Sequence, residues 1–189
     1  MSTVAQAVSC SQLLPTAPDF LALHASAPAS YPFLLQSAAH GSGQGRYDIL
    51  FAYPGETLCL SGEGHLKGPH TAGAGGFLEA LASWSAAETA AKPAIENQLP
   101  FSGGWFLYLA YELAGELEPG LTLPMDAAQP IALATRIPAA LIYDHVRSEC
   151  VAVAETPVDL ERLLTELTEL PVLPKEPSVP FTRQSTEAD

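Results

Sequence analysis

The alternation of apolar and polar positions divides this chain into strand-like and helix-like blocks separated by glycine and proline. The block at residues 99–118, LPFSGGWFLYLAYELAGELE, is the one around which the others arrange. Pro100 ends what precedes it, and Gly103-Gly104 opens an apolar run. Paired glycines before a buried strand mark a place where another backbone or a ligand comes too close for a Cβ. The run from 105 to 111 is apolar on both faces, which predicts a central strand covered on both sides. Leu113, Ala114 and Leu117 then recur at helical spacing with Glu112, Glu116 and Glu118 between them, so the strand runs into a short acidic helix.

The remaining blocks follow in order. Residues 3–8 suit a first strand, and 18–23 a short helix that the prolines of 28–32 interrupt. A short strand is expected over 33–37, a glycine-rich loop over 40–45, and a strong strand over 46–53 (RYDILFAY). Pro54-Gly55-Glu56 is a turn, after which 57–61 is expected to pair back as a hairpin. Glycine-rich residues 62–76 read as a loop with freedom to move. Phe77, Leu78, Leu81 and Trp84 mark an amphipathic helix over 77–91, and 92–99 is an exposed connector. A loop over 119–130 leads to a second strong strand over 136–146, which Arg147-Ser148 turns into a last strand at 149–155. Leu160, Leu163, Leu164 and Leu167 face inward on a final helix over 158–170, which Pro157, Asp159 and Glu161 suit as a start. The predicted class is therefore α+β, with mainly antiparallel sheets packed with three or four helices.

From Pro171 the chain changes character. Pro171, Pro174, Pro177 and Pro180 recur every third residue, the period of a polyproline II helix, which reaches about 30 Å over ten residues. The expected organisation is one domain over 1–170 and a proline-rich linker over 171–189, leading to a further domain absent from this chain.

Composition narrows the function. Hydrophobic residues at 48% against 15% charged suit a folded chain. A net charge of −13 with eight Lys plus Arg and no basic cluster argues against nucleic acid and anionic membranes as partners. No apolar run reaches the roughly 18–20 residues of a membrane span, and the N-terminus does not read as a signal peptide. Cys10, Cys59 and Cys150 sit apart in apolar settings, as expected of small buried thiols in a reducing cytoplasm. The five histidines form no i, i+4 pair. No phosphate-binding glycine loop or nucleophile elbow occurs, and Glu112 and Glu116 read as solvated acids on an exposed helix face. The residues by themselves offer no catalytic constellation.

Three separated segments do resemble one family, the N-terminal domain of aminodeoxychorismate synthase component I and its relative anthranilate synthase component I. Pro32-Phe33-Leu34-Leu35-Gln36-Ser37, followed by Gly45-Arg46-Tyr47-Asp48-Ile49, is similar to that family's L-L-x-S and R-[FY]-[DS]-I. Pro100-Phe101-Ser102-Gly103-Gly104, then Tyr111-Glu112-Leu113 and Glu118, resembles its P-F-x-G-G strand. Residues 139–145, ending Tyr143-Asp144-His145, look like its strand ending in Asp-His.

The resemblance implies a non-catalytic part of an enzyme for 4-aminobenzoate and folate synthesis. In that family a C-terminal domain binds chorismate and Mg2+ and replaces the ring hydroxyl by an amino group, using ammonia from a glutamine amidotransferase subunit. None of that domain's motifs occurs here, so this chain needs no cofactor of its own and is expected to be inactive alone. The implied partners are that chorismate-binding domain, the amidotransferase subunit and tryptophan. The implied ligand pocket comprises Leu35, Gln36, Ser37, Arg46 and Tyr47, bordered by Gly103 and Gly104. A hydroxyl such as Ser37 can bond an ammonium or carboxylate while Leu34 and Leu35 supply apolar wall. Anthranilate synthases typically read L-L-E-S, so Gln36 favours the aminodeoxychorismate branch. The alternatives are an anthranilate synthase component with tryptophan feedback, or a stand-alone amino-acid-binding module.

Overall fold

The computed structural model describes residues 10–36, 45–89, 99–118, 120–121, 123–124 and 126–169. The strand expected over 3–8, the loop at 40–44, most of the connector before Leu99 and the proline-rich segment lie outside these residues. The elements in order are β1 (Cys10–Leu14), α1 (Phe20–Ser26), β2 (Phe33–Leu35), β3 (Tyr47–Ala52), β4 (Thr57–Leu60), β5 (Leu66–Lys67), α2 (Phe77–Thr89), β6 (Gly104–Leu109), α3 (Ala114–Leu117), β7 (Ala132–Ile137), β8 (Ala139–Asp144), β9 (Glu149–Ala154) and α4 (Pro157–Glu169). A single 3-10 turn, Tyr111–Leu113, leads into α3.

The strands form two antiparallel sheets, one of five strands in the order β1-β9-β8-β3-β2 and one of four in the order β5-β4-β7-β6. This is the predicted α+β class with four helices. Alternation along each strand feeds separate cores. Leu50, Ala52, Leu141 and Ala152 turn to Phe20 and Leu23 of α1 and Leu163 of α4. Phe51, Ala140, Ile142 and Val153 turn the other way and meet Ile137 and Phe106 between the sheets. Leu58, Leu60, Ala132 and Ala134 pack under Phe77, Ala80 and Trp84 of α2. Aromatic rings hold the sheets together. Phe106 stacks on Phe33 at 3.9 Å and meets Phe51 edge-on at 5.6 Å, and Phe101 meets Phe51 edge-on at 5.1 Å.

Short-range chemistry explains where the helices start. Asp19 caps α1 by accepting from the Ala22 amide at 3.0 Å. Thr156 Oγ1 accepts from the Asp159 amide at 3.1 Å and donates to Asp159 Oδ2 at 2.6 Å, just ahead of Pro157 at the first position of α4. The cap of α2 comes from far away in sequence. Glu116 accepts from the Phe77 and Leu78 amides at 2.7 and 3.0 Å, so this acid serves a helix N-terminus and is not merely solvated. Gly76 makes room for it, since a Cβ there would stand 2.7 Å from the carboxylate.

Several expectations are corrected. The run expected as a central strand over 105–111 is an edge strand, ending at Leu109, with Leu107, Tyr108 and Leu109 exposed. Apolarity on both faces reports what the residues could bury, not what covers them. The strand expected over 136–146 breaks at Pro138 into β7 and β8, which belong to different sheets. Proline has no N–H for a ladder, and its carbonyl accepts from the Glu155 amide instead. The expected hairpin of 46–53 with 57–61 does not form: β4 pairs with β5 and β7. Tyr53, at φ 60°, bends the chain out of one sheet and into the other. The glycine-rich loop contains β5. Of the thiols, Cys150 is buried, and Cys10 and Cys59 are half-buried.

The glycine pair does admit a close neighbour, and it is a side chain. A Cβ on Gly103 would overlap the Glu155 carboxylate, and Gly103 has φ 102°. Glu155 lies just after β9 and receives Arg136 Nη2 of β7 at 2.7 and 2.6 Å. Arg136 also donates to the Gly104 carbonyl at 2.7 Å, to Glu88 of α2 at 3.2 Å, and lies over the Trp105 ring at 4.9 Å. Gly103→Ala is therefore expected to cost at least about 2 kcal/mol, since it adds backbone strain and splits a buried ion pair. Urea unfolding measures it, and a loss within about 0.5 kcal/mol, typical of a neutral surface site, would refute this role.

Candidate functional site

The residues of the expected pocket lie at one corner of the five-stranded sheet. Leu35 pairs with Ile49, and Tyr47 with Asp144, so β2, β3 and β8 meet there. By register Leu35 and Tyr47 share the sheet face that carries Phe33 and Phe51, the face turned to the other sheet. They lie past the Phe33–Phe106 stack, and Leu35 is 49% exposed. Gln36 is exposed at the end of β2. Ser37 lies outside the described residues.

Arg46 arrives at this corner already engaged. Its Nε and Nη2 reach Asp144 Oδ2 at 3.1 and 2.7 Å, and its guanidinium carbon lies 4.7 Å above the Tyr47 ring. Asp144 also accepts from the Val146 amide at 2.9 Å and the Arg147 amide at 3.3 Å, which closes the β8–β9 turn. Next to it His145 Nε2 stands 3.0 Å from Asp48 Oδ2, and its amide donates to the Arg46 carbonyl at 2.9 Å. Two acid–base contacts thus fill the corner, Arg46 with Asp144 and His145 with Asp48. The Arg46 bonds, first of all, hold the Asp144 carboxyl below its ordinary range. Burial opposes them and the two turn amides add to them.

Gly103 and Gly104 lie elsewhere. Gly104 pairs with Ile137, and Gly103 meets Glu155, at the end of the sheet where Ala139 faces Ala52 and Ala154. Arg46 and Asp144 are at the other end of the same strands, five residues away, or about 17 Å. The structure brings Leu35, Arg46 and Tyr47 together and separates them from the glycine pair.

A second polar cluster carries no signal in the sequence, because its members lie far apart in the chain. Tyr31 Oη donates to Glu166 Oε2 at 3.1 Å, and the Arg162 guanidinium lies 3.8 Å above the Tyr53 ring. Burial, helped by Glu166, pushes the Tyr31 phenol up to about 12, and burial raises Tyr53 as well. Beside it opens a cavity of about 370 Å³ lined by Ala27, Ser30, Tyr31, Glu166 and Glu169. A groove of about 440 Å³ runs between Cys10 of β1 and Leu160, Leu164 and Thr168 of α4. Neither cavity includes the expected pocket residues. Among the described residues no group of three or more His, Cys, Asp or Glu side chains could hold a metal ion. No helix among them is long and apolar enough to cross a membrane.

A carboxyl held below its unfolded value, near pH 3.9, stabilises the fold above that pH and loses the contribution as pH falls through the folded value. Asp144→Asn is expected to lower stability at pH 7 and to flatten the decline as pH falls below about 4. Urea midpoints measured across that range test this, and parallel acid limbs for both proteins would remove Asp144 from the acid response.

No protein-family model matches the chain, and no curated protein matches it. Among solved structures it is similar to anthranilate synthase component I from Streptococcus pneumoniae TIGR4, with 19% identity and a TM-score of 0.49, over 72% of this chain and 33% of that one. The chain spans about a third of that protein's length. A likeness this distant assigns neither a family nor an activity.

Proposed function

We propose that this chain is the non-catalytic N-terminal part of a chorismate-utilising synthase component, of the aminodeoxychorismate synthase kind. One observation carries the reading. The three segments that resemble this family are separated in sequence but contiguous in the fold. β2 from the first segment pairs with β3, and β3 pairs with β8 from the last. Phe106 from the middle segment stacks on Phe33 of the first, and Phe101 meets Phe51 of β3, the strand that the first segment opens. A chance match of three short motifs has no reason to converge in this way.

In this reading a second domain holds chorismate and Mg2+, and a glutamine amidotransferase subunit supplies ammonia. This chain contributes sheet and one wall of a tryptophan-type pocket formed by Leu35, Gln36, Ser37, Arg46 and Tyr47. Gln36, where anthranilate synthases carry glutamate, supports the aminodeoxychorismate branch. The exposure of Leu35 supports a wall whose other half belongs to another domain.

The chain alone, given chorismate, Mg2+ and ammonium, is expected to form no aminodeoxychorismate. Adding the chorismate-binding domain of an aminodeoxychorismate synthase is expected to give a complex on gel filtration and ammonia-dependent amination. Product from the chain alone, or neither complex nor activity with the added domain, would sink the reading.

Tryptophan is expected to bind no tighter than millimolar by calorimetry. Each methylene-sized group left unburied forgoes about 0.8 kcal/mol, and several together remove the roughly 4 kcal/mol that separates micromolar from millimolar. A micromolar Kd that Arg46→Ala leaves unchanged would remove the pocket assignment.

A further inference from the structure

Exposed apolar side chains are not spread evenly over this protein. Leu107, Tyr108, Leu109, Tyr111, Leu117 and Leu121 are each between 43% and 76% exposed and fall within one stretch of chain. Three of them lie on β6, which ends the four-stranded sheet. The Ala110 amide donates to the Ile131 carbonyl at 2.8 Å, so the residues in step with Ala110, namely Phe106 and Tyr108, turn their N–H and C=O groups toward β7. Trp105, Leu107 and Leu109 turn theirs outward, and no described residue bonds to these groups. Among the described residues nothing blunts this edge. Residues 99–111 contain no charged residue, and β6 has no proline.

We propose that β6 pairs antiparallel with β6 of a second copy of this chain, about a two-fold axis at Leu107. That axis sets Leu107 opposite its own copy and Trp105 opposite Leu109. Every outward residue then meets an outward residue, with two hydrogen bonds for each of the three pairs. The two four-stranded sheets become one continuous sheet. A slip of one residue faces outward groups with inward ones, so the register is self-selecting. The side chains of Trp105, Leu107 and Leu109 lie on one face, so exposed Leu109 of each copy packs on Trp105 of the other.

Charge does not forbid the pairing. The net charge of −13 repels two copies at long range. The first charged residue beyond β6 is Glu112, five positions from the axis. No acidic side chain therefore lies within the paired strands, and charges farther apart than a Debye length of about 8 Å are largely screened. The proposal uses only groups of this chain and is independent of the chorismate reading.

Sedimentation velocity on the full chain is expected to give a species of twice the monomer mass that dissociates on dilution. Leu107→Lys and Leu109→Lys are each expected to leave monomer only, with an unchanged far-ultraviolet circular dichroism spectrum. Leu13→Lys, on the exposed β1 edge of the other sheet, is expected to leave the dimer intact. Amide exchange on the unsubstituted chain at two concentrations gives a reading that needs no variant. The amides of Trp105, Leu107 and Leu109 are expected to gain protection with concentration, while those of Phe106 and Tyr108 stay equally protected. A monomer up to hundreds of micromolar, a dimer that survives Leu107→Lys, a dimer lost in Leu13→Lys, or concentration dependence confined to Phe106 and Tyr108 would overturn the proposal.

Discussion

The pairing of Arg136 with Glu155 is the constraint on which the rest of the structure depends. Arg136 belongs to the four-stranded sheet and Glu155 follows the last strand of the five-stranded one, so a single ion pair ties the two sheets at the point where the chain crosses between them. Both side chains are about nine-tenths buried, at 12% and 11% exposure. Charges so placed stabilise a fold only if their remaining hydrogen-bond capacity is met. Here the guanidinium is met by Glu88, the Gly104 and Ile137 carbonyls and the Trp105 ring. Those partners lie on α2, β6 and β7, so satisfying one cation also fixes how a helix and two strands come together.

Several features follow from that knot. Gly103 has no side chain because Glu155 occupies the space. Pro138 ends β7 where the chain must leave one sheet for the other, and its carbonyl takes the Glu155 amide at 2.9 Å. Trp105, pinned beneath Arg136, meets Trp84 of α2 edge-on at 5.5 Å. The α2 N-terminus is then held by Glu116 of α3, which follows β6. A chain of contacts thus runs from β9 through Arg136 to α2 and back to the segment after β6. The far half of β6 lies beyond this chain of contacts, and it is there that the apolar residues stand uncovered.

The polar corner at Arg46 and the knot at Arg136 use the same chemistry to different ends. Both pair an arginine with an aspartate or glutamate and place the guanidinium on an aromatic ring. At Arg46 the side chain is 40% exposed and its partner lies within a tight turn, so the pair trims the end of a strand ladder. At Arg136 the pair is enclosed, and breaking it strands a charge in the interior. Separating the first pair costs little, and separating the second leaves a buried charge without its partner.

Much of this was legible in the residues. The spacing of Leu160, Leu163, Leu164 and Leu167 is a local property, and α4 buries that stripe. The caps of α1 and α4 lie within three residues of what they cap, and the turn at Arg147-Ser148 is equally local. Leu35, Arg46 and Tyr47 sit at or beside the ends of β2 and β3, and the pairing of β2, β3 and β8 sets them at one corner.

Other features needed the folded chain. Whether β3 and β4 form a hairpin turns on the backbone of Tyr53, and hydrophobic alternation does not report that angle. Whether Trp105 to Leu109 is a central or an edge strand depends on what lies alongside it, while its sequence records only apolarity. Glu116 looks like any solvated acid until α2 is placed beside it, 38 residues away in sequence from Leu78. The Gly103 pair announced a close approach, and only the fold revealed that the approaching group was Glu155. Periodicity and the local caps of α1 and α4 act over one or two turns and so are written in the chain itself. Ion pairing and strand order join distant residues, and tertiary packing alone decides them.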